Sequence, residues 1–178
     1  MHSYQRITSI SRVLSIVCLV LLVLLPFYLT HHWLLPTHFW LDGMPFGSQT
    51  QYFDSWPPAI DKQILGVLIS FLPGFFIVKG LWHLKHLFTL YSQGEFFSEV
   101  VVNLYSKCSS AALWFVIVWI FSQSLMSVAM SYDSSSPVLT VSFTHAHALA
   151  LFSATLLRVI AMVMSVSHEL AQENKSFV

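Results

Sequence analysis

The residues of this sequence best suited to chemistry are histidines near the ends of its apolar runs. Four of them are predicted at one face of a membrane: His31, His32, His145 and His147. Neutral imidazole is a common metal ligand, so two pairs on neighbouring helix ends could complete a four-coordinate site. Thioether sulfur from Met44, Met126 and Met130 would suit a soft ion such as Cu(I). The alternative is that the imidazoles only pack at the interface, because their spacings match no ligand motif.

A second pair of histidines, His83 and His168, lies near the opposite face. Two facing imidazoles at matching depth could ligate haem axially. No second pair and no porphyrin-pocket pattern accompanies them, and polar helix ends at the headgroup layer would look the same. The leading prediction is therefore no bound cofactor, with a metal- or haem-binding membrane subunit as the alternative.

Arg158 is the most anomalous single residue, because it stands inside the apolar stretch that runs from Leu149 to Val166. A charge at the centre of a bilayer costs at least about 2.5 kcal/mol, and such residues usually face other helices and mark a function or a partner. No carboxylate lies in the apolar runs to pair with it. Backbone carbonyls, a lipid phosphate or an acid on another subunit could receive the guanidinium. So could four hydroxyls, those of Ser122, Ser124, Ser153 and Thr155.

Catalytic arrangements are missing from the sequence. There is no paired carboxylate in an apolar run, no Gly-x-Ser-x-Gly, no His-Glu-x-x-His and no phosphate-cradling glycine loop. The formal net charge of +0 gives no sign of a nucleic-acid-binding surface. The sequence therefore predicts a protein that is neither an enzyme nor a direct nucleic-acid binder.

The elements that must position these residues are four long apolar runs. Hydrophobic residues make up 56% of the 178 residues and charged residues only 9%, against roughly 25% charged residues in soluble domains. A chain this short cannot bury so much apolar surface in water, so its solvent includes lipid. We predict an all-α, integral membrane four-helix bundle formed by residues 1–178 as one domain. Its helices are expected at about 8–30, 62–91, 95–130 and 144–173, with an aromatic-rich outer loop at 31–61.

The orientation follows from the lysines and arginines of the connecting segments. The predicted inner face carries Arg6, Arg12, Lys79, Lys85, Lys107 and Lys175. The segment His31 to Asp61 has neither residue type, so the positive-inside rule puts both termini and the central joint in the cytoplasm of a bacterial inner membrane. Residues past the membrane on the second, third and fourth helices should form cytoplasmic helical extensions.

The central joint is the polar segment between the second and third predicted helices. Its residues fit either the start of the third helix or the end of the second. Ser92 and Glu95 have the spacing of a capping box, with Tyr91 and Phe96 placed as a hydrophobic staple. Alternatively, Gly94 ends the incoming helix in a left-handed conformation.

Three small residues at helical spacing, Gly66, Ser70 and Gly74, mark one face of the second helix. Small residues let membrane helices approach closely. The prediction is packing within one chain, with a homo-oligomer as the alternative.

The joint also carries a resemblance. Its residues are Leu81 to Phe88, Leu90-Tyr91, Gly94-Glu95 and Phe97-Ser98, and the chain closes with Leu170, Gln172 to Asn174 and Phe177-Val178. These segments resemble a family of small four-helix bacterial membrane proteins that is described as a domain of unknown function. The family is often more basic at the positions of His86, Ser92 and Gln93, and the outer loop matches none of it. Its members are often encoded near helix-turn-helix regulators, which implies a regulatory role by association.

The predicted function is that of a non-catalytic regulatory or interaction component, or an accessory subunit of a larger complex. Glu169 and Glu173 share a face of the last helix, and we expect them to meet Lys85 or Lys107 or a basic protein partner. The candidate interaction residues are Arg158, Glu169, Glu173, Gly94 and Glu95. The lipid bilayer is the other predicted partner.

Overall fold

The computed structural model describes residues 2–34, 59–133, 137 and 139–176. It contains four helices: α1 (His2–Leu34), α2 (Ile60–Gln93), α3 (Glu99–Ser131) and α4 (His145–Ser176). No strand occurs within these ranges. Each helix is long and apolar enough to cross a membrane, which confirms the all-α prediction and indicates a multi-pass membrane protein. Most of the predicted aromatic outer loop, residues 35–58, lies outside the described residues.

The helices extend past their predicted limits at most ends, α1 by six residues at its start and α4 by three at its end. Amphipathic and polar residues continue the helical path there without a glycine or proline to stop it. The exception is α3, which begins at Glu99 rather than at residue 95.

The joint between α2 and α3 explains that exception. Gly94 has φ 88°, the left-handed conformation that glycine adopts without a Cβ clash. The Gly94 N–H donates to the Tyr91 carbonyl at 3.1 Å and the Glu95 N–H to the Leu90 carbonyl at 3.0 Å, which is a Schellman motif. The glycine stop predicted as the alternative is therefore confirmed.

The predicted capping box at Ser92 and Glu95 is wrong. The Ser92 hydroxyl donates to the Thr89 carbonyl at 2.7 Å, inside α2, so it caps no later helix. Ser98 is the N-cap of α3, and its Oγ accepts from the Val101 N–H at 3.4 Å. Once Gly94 has reversed the chain, four more residues are needed before helical geometry resumes.

Each helix runs antiparallel to its neighbour in the chain. Ser15 of α1 bonds to Thr89 of α2, and Arg158 of α4 bonds to Ser106 of α3. Both His2 and Ser176 therefore lie at the end of the molecule that carries the joint at 94–98, which we name the inner end. The four helices are packed in the order α1, α2, α3, α4, and among the described residues the backbones of non-consecutive helices do not approach one another.

The four predicted helices thus form an open row, in which α1 and α4 are not neighbours. The physical reason is lipid. Long apolar side chains are exposed along both outer helices, from Val13 to Phe27 on α1 and from Leu149 to Val166 on α4. In a bilayer these side chains are already in an apolar solvent, so nothing drives the row to close around a common core.

The contact between α1 and α2 is close and depends on the small-residue face. A Cβ on Gly66 would lie 2.5 Å from the Trp33 ring, and one on Gly74 would lie 2.8 Å from Leu29 Cδ1. The Trp33 indole N–H donates to Ser70 Oγ at 3.0 Å. The small residues therefore pack helices within the chain, as predicted.

The outer ends of α2 and α3 are joined by polar contacts. Lys62 Nζ lies 2.6 Å from a carboxylate oxygen of Asp133, and the Tyr132 hydroxyl donates to Asp61. That hydrogen bond raises the pKa of the Tyr132 hydroxyl. The Lys62 positive charge at the outer end is thus offset by a neighbouring carboxylate.

Candidate functional site

A groove lies between α3 and α4 toward the inner end, and we name it the α3–α4 groove. Its volume is about 550 Å³. The lining polar residues are Glu99, Asn103 and Ser106 from α3, and Arg158, Ser165, His168, Glu169 and Gln172 from α4. Two of the predicted interaction residues, Arg158 and Glu169, therefore face the same space.

The inner half of α4 has its polar residues toward α3 and apolar residues toward the surroundings. The exposed apolar side chains there are Val159, Ile160, Val163, Val166 and Leu170. A helix at the surface of a water-soluble protein has the reverse arrangement. The outward face of α4 is therefore suited to lipid or to an apolar surface of another protein.

Arg158 is held by serine hydroxyls of α3. One of its terminal guanidinium nitrogens donates to Ser106 Oγ at 3.2 Å and to the Oγ atoms of Ser109 and Ser110 at 3.4 Å each. No carboxylate of the described residues lies within ion-pair distance of it. Among the described residues, Arg158 therefore hydrogen-bonds neutral hydroxyls, and no carboxylate there offsets its charge.

The hydroxyls predicted for Arg158 are not the ones it contacts. Ser122, Ser153 and Thr155 each donate to a carbonyl of their own helix. The antiparallel register explains the difference, since Trp119 packs on His147 at a ring-centroid distance of 4.2 Å. Ser122 therefore lies near the outer end of α4, far from Arg158. The spacing of Ser106, Ser109 and Ser110 on one helix face was the signal available in the sequence.

A second groove, of about 310 Å³, lies between α2 and α3, and we name it the basic groove. It is lined by Phe76, Lys79, His83, Ser106, Lys107, Ser110, Ala111 and Trp114. Ser106 lines both grooves, and Ser110 lines this one while accepting from Arg158. Sequence reasoning used Lys79 for orientation, and Lys107 for orientation and as a possible contact of Glu169 and Glu173. It missed that the two lysines line one groove.

His83 in the basic groove has a buried Nε2 atom without a hydrogen-bond partner among the described residues. Buried polar atoms are normally hydrogen-bonded, so an unpaired one asks for a ligand or a water. His83 and His168 line different grooves, with α3 between them, so they do not face each other as axial haem ligands would.

The inner end of the α3–α4 groove is acidic. Glu99 and Glu169 line it, and Glu169 accepts from Ser165 at 3.5 Å. His168 Nδ1–H donates to the Phe97 carbonyl at 3.1 Å, while Gln172 donates to His168 Nε2 at 2.9 Å. Glu169 forms no ion pair with Lys85 or Lys107, because Lys85 is on α2 and Lys107 is on the side of α3 that faces away from the groove. The predicted contact of Glu169 with one of these lysines is therefore wrong.

Glu173 and the joint complete the predicted interaction residues. Glu173 is exposed one helical turn beyond Glu169, and Glu95 is exposed just after Gly94. Gly94, Glu95, Glu169 and Glu173 lie at the inner end, whereas Arg158 is the predicted interaction residue farthest from that end.

The outer histidines are not brought together. His31 contacts the Phe27 ring on α1, and His145 and His147 lie on α4, which is not a neighbour of α1. The His147 ring is fully buried and its Nδ1 accepts from the Thr144 backbone and hydroxyl at 3.0 and 2.9 Å. The side chain of His32 lies outside the described residues.

Among the residues that the structure describes, no three metal-ligating histidine, cysteine or carboxylate side chains form a cluster. The predicted soft-metal ligands Met126 and Met130 lie in a buried apolar cluster with Trp33 and Ile69. The proposed methionine ligand Met44 lies outside the described residues.

Comparison of the chain with family models, with curated proteins and with solved structures finds no match. The resemblance to the small four-helix membrane family therefore stays a prediction.

Proposed function

We propose that the chain is a non-catalytic protein of the bacterial inner membrane that acts as a regulatory or protein-interaction component, with its inner end in the cytoplasm. The orientation is supported by lysines and arginines on the inner halves of the helices: Arg6, Arg12, Lys79, Lys85, Arg158 and Lys107. At the outer end Lys62 is paired with Asp133. This asymmetry has the sign of the positive-inside rule.

The observation that carries the proposal is an exposed apolar and acidic surface at the inner end, which we name the inner-end surface. Its apolar members are Phe97, Val100, Val166 and Leu170, and its acidic members are Glu99, Glu169 and Glu173. Phe97 is 75% exposed, an unusual position for a phenylalanine in water.

Lipid does not account for all of this surface. Leu170 lies twelve residues inward of Arg158 along α4, or roughly 18 Å at about 1.5 Å per residue. Apolar side chains at that distance, interleaved with carboxylates, have the composition of a protein-binding patch. A basic amphipathic segment of another protein would complement both its apolar and its acidic members. The resemblance to a family encoded near helix-turn-helix regulators suggests a regulator as that partner, by association only.

The orientation is tested with reporters active only in the cytoplasm. A reporter inserted at Gln93, or fused after Val178, should be active, and one inserted at Gln49 should be inactive. The last two positions lie outside the described residues. Activity at Gln49 with silence at Gln93 would reverse the proposed orientation.

The interaction is tested by capture from native membranes, followed by mass spectrometry. The combined variant Glu169→Lys and Glu173→Lys should lose the captured partner while keeping its expression and thermal stability. Gln93→Lys is the matched control, because it adds positive charge on an exposed side chain at the same end but outside the groove. Capture that survives the double reversal, or is lost equally in Gln93→Lys, would refute the proposed surface.

A further inference from the structure

Arg158 on one side of α3, and Lys79, His83 and Lys107 on its other side, are linked through serines of α3 that lie between them. Arg158 donates to Ser106 and Ser110 from the α4 side. On the α2 side these two serines line the basic groove together with Lys79, His83 and Lys107. The side chains come from three different helices, so only the tertiary packing brings them together.

The charges of this cluster are uncompensated within the described part of the chain. Neither Lys79 nor Lys107 is within ion-pair distance of a carboxylate there, and Arg158 contacts only neutral hydroxyls. Lys79 and Lys107 are both exposed and line the basic groove together, and an anion bound there would offset their positive charges. Glu99 does not supply this negative charge, because it lies seven residues before Ser106, or roughly 10 Å toward the inner end.

The donors of the cluster are only partly used. A single terminal nitrogen of the Arg158 guanidinium makes all three serine contacts, so its remaining N–H groups make no hydrogen bond to a described residue. His83 Nε2 is buried and unpaired in the basic groove. With the serine hydroxyls and two ammonium groups, these donors match an oxyanion with several acceptor oxygens.

The depth of the cluster indicates which oxyanion could reach it. Gly80 lies beside Ala111, and Cys108 Sγ lies 4.0 Å from the Gly80 carbonyl oxygen, so Lys79 and Lys107 are at one level. Nineteen residues separate Lys79 from the start of α2 at Ile60, which is roughly 28 Å. That length is close to the hydrocarbon thickness of a bilayer, about 30 Å. With the start of α2 at one hydrocarbon boundary, the cluster would lie at the level of the phospholipid phosphates of the opposite leaflet.

We propose that Arg158, Lys79, Lys107 and His83, with the hydroxyls of Ser106 and Ser110, form a binding site for a phosphate group. The phosphate is carried by an anionic phospholipid or is free in solution. The guanidinium fork and the hydroxyls donate to its oxygens, and the two lysines balance its charge. This site does not depend on the partner proposed for the inner-end surface, because none of its residues belongs to that surface. It shares only Ser106 and Arg158 with the α3–α4 groove.

The test uses the full chain, purified and delipidated in an uncharged detergent. Native mass spectrometry measures retention of phosphatidylglycerol and of phosphatidylcholine, and calorimetry measures binding of inorganic phosphate at constant ionic strength. Arg158→Gln and Lys107→Gln should each weaken the bound species by about tenfold or more, because each removes a charge-assisted donor. Arg158→Lys should retain part of the affinity, because the charge stays and the fork is lost.

Lys85→Gln is the matched control, because Lys85 is a lysine of α2 whose Nζ lies over the Trp82 ring, 5.7 Å from its centroid, and outside the groove. Phosphatidylglycerol binding that inorganic phosphate does not displace would identify the lipid as the source. Binding of inorganic phosphate that displaces the lipid would identify the free anion. The proposed site would be overturned if neither phosphatidylglycerol nor inorganic phosphate bound. It would also be overturned if Arg158→Gln and Lys107→Gln left binding unchanged, or if Lys85→Gln reduced binding equally. Since the exposed Lys107 side chain forms no hydrogen bond or ion pair with a described residue, Lys107→Gln keeps the test valid if Arg158→Gln fails to fold.

Discussion

The contact between α1 and α2 and the contact between α3 and α4 follow opposite designs. At the first, two glycines bring the helix backbones close, and the Trp33 ring fills the space over Gly66. The Trp33 indole also donates to the buried Ser70 hydroxyl there. At the second, a polar groove of about 550 Å³ lies between the helices.

The difference separates stability from binding. Between membrane helices, close van der Waals packing is the main favourable term, because lipid tails already solvate apolar side chains. The α1–α2 contact supplies that term. The α3–α4 contact instead places a charge and several hydroxyls against one another, which adds little to stability and leaves donors for a ligand. Mutations in the two contacts should therefore affect different measurements.

The largest expected effect is on the α1–α2 contact. Gly66→Val should lower the free energy of unfolding by about 3 kcal/mol or more, because its Cβ alone would lie 2.5 Å from the Trp33 ring and the helices would have to separate. Thermal unfolding in detergent measures this loss.

Gly80→Ala is the control for the glycine itself. A Cβ there would lie 3.6 Å from that of Ala111, an ordinary van der Waals contact, so stability should be unchanged or rise by a few tenths of a kcal/mol up to about 1 kcal/mol. Equal losses at Gly66 and Gly80 would show that close approach is not what distinguishes the α1–α2 contact.

A smaller effect is expected from the buried polar pair. Ser70→Ala removes the acceptor of the Trp33 indole N–H and should cost about 1 kcal/mol, in the range found for hydrogen bonds between membrane helices. A double-mutant cycle with Trp33→Phe isolates the pair from the loss of ring volume. A coupling energy of zero would mean that the contact depends on packing alone.

The smallest effect on stability is expected at the α3–α4 contact. Arg158→Gln should change the free energy of unfolding by less than about 1 kcal/mol, because Ser109 already donates to the Ser106 carbonyl at 2.9 Å and needs no guanidinium. The same variant should lose phosphate binding, which sharpens the contrast with Gly66. A loss as large as that of Gly66→Val would assign Arg158 to the structural framework instead.

Local patterns predicted the elements well. The length of each apolar run predicts a helix that could cross a membrane, and all four helices were found with limits that differ mostly by a few residues. The start of α3 was misplaced because Ser92 and Ser98 are both acceptable N-caps by residue type. The choice between them depended on whether Gly94 adopts a positive φ, which the neighbouring residue types do not decide.

The candidate site was predicted only where one residue was anomalous by itself. Arg158 stands out against its apolar neighbours, and Glu169 follows from its place on the same helix. Ser106, Ser109 and Ser110 share one helix face, but that spacing alone does not indicate their partner, since serine is common in membrane helices. Their role depends on lying opposite Arg158, fifty residues away in the chain.

By itself, then, this sequence determined four helices long and apolar enough to cross a membrane, the small-residue face of α2 and the presence of a cation in the apolar part of α4, because each depends on residues within one or two helical turns. Only the tertiary structure decided that the helices form a row and that the two histidine pairs lie on helices that are not neighbours. It alone also decided that serines of α3 lie between Arg158 and the groove lined by Lys79, His83 and Lys107. Those outcomes depend on the register between helices. Register is set by side-chain packing between distant segments. In the local sequence pattern, an apolar residue that faces lipid looks the same as one that faces another helix, so the pattern does not indicate the register.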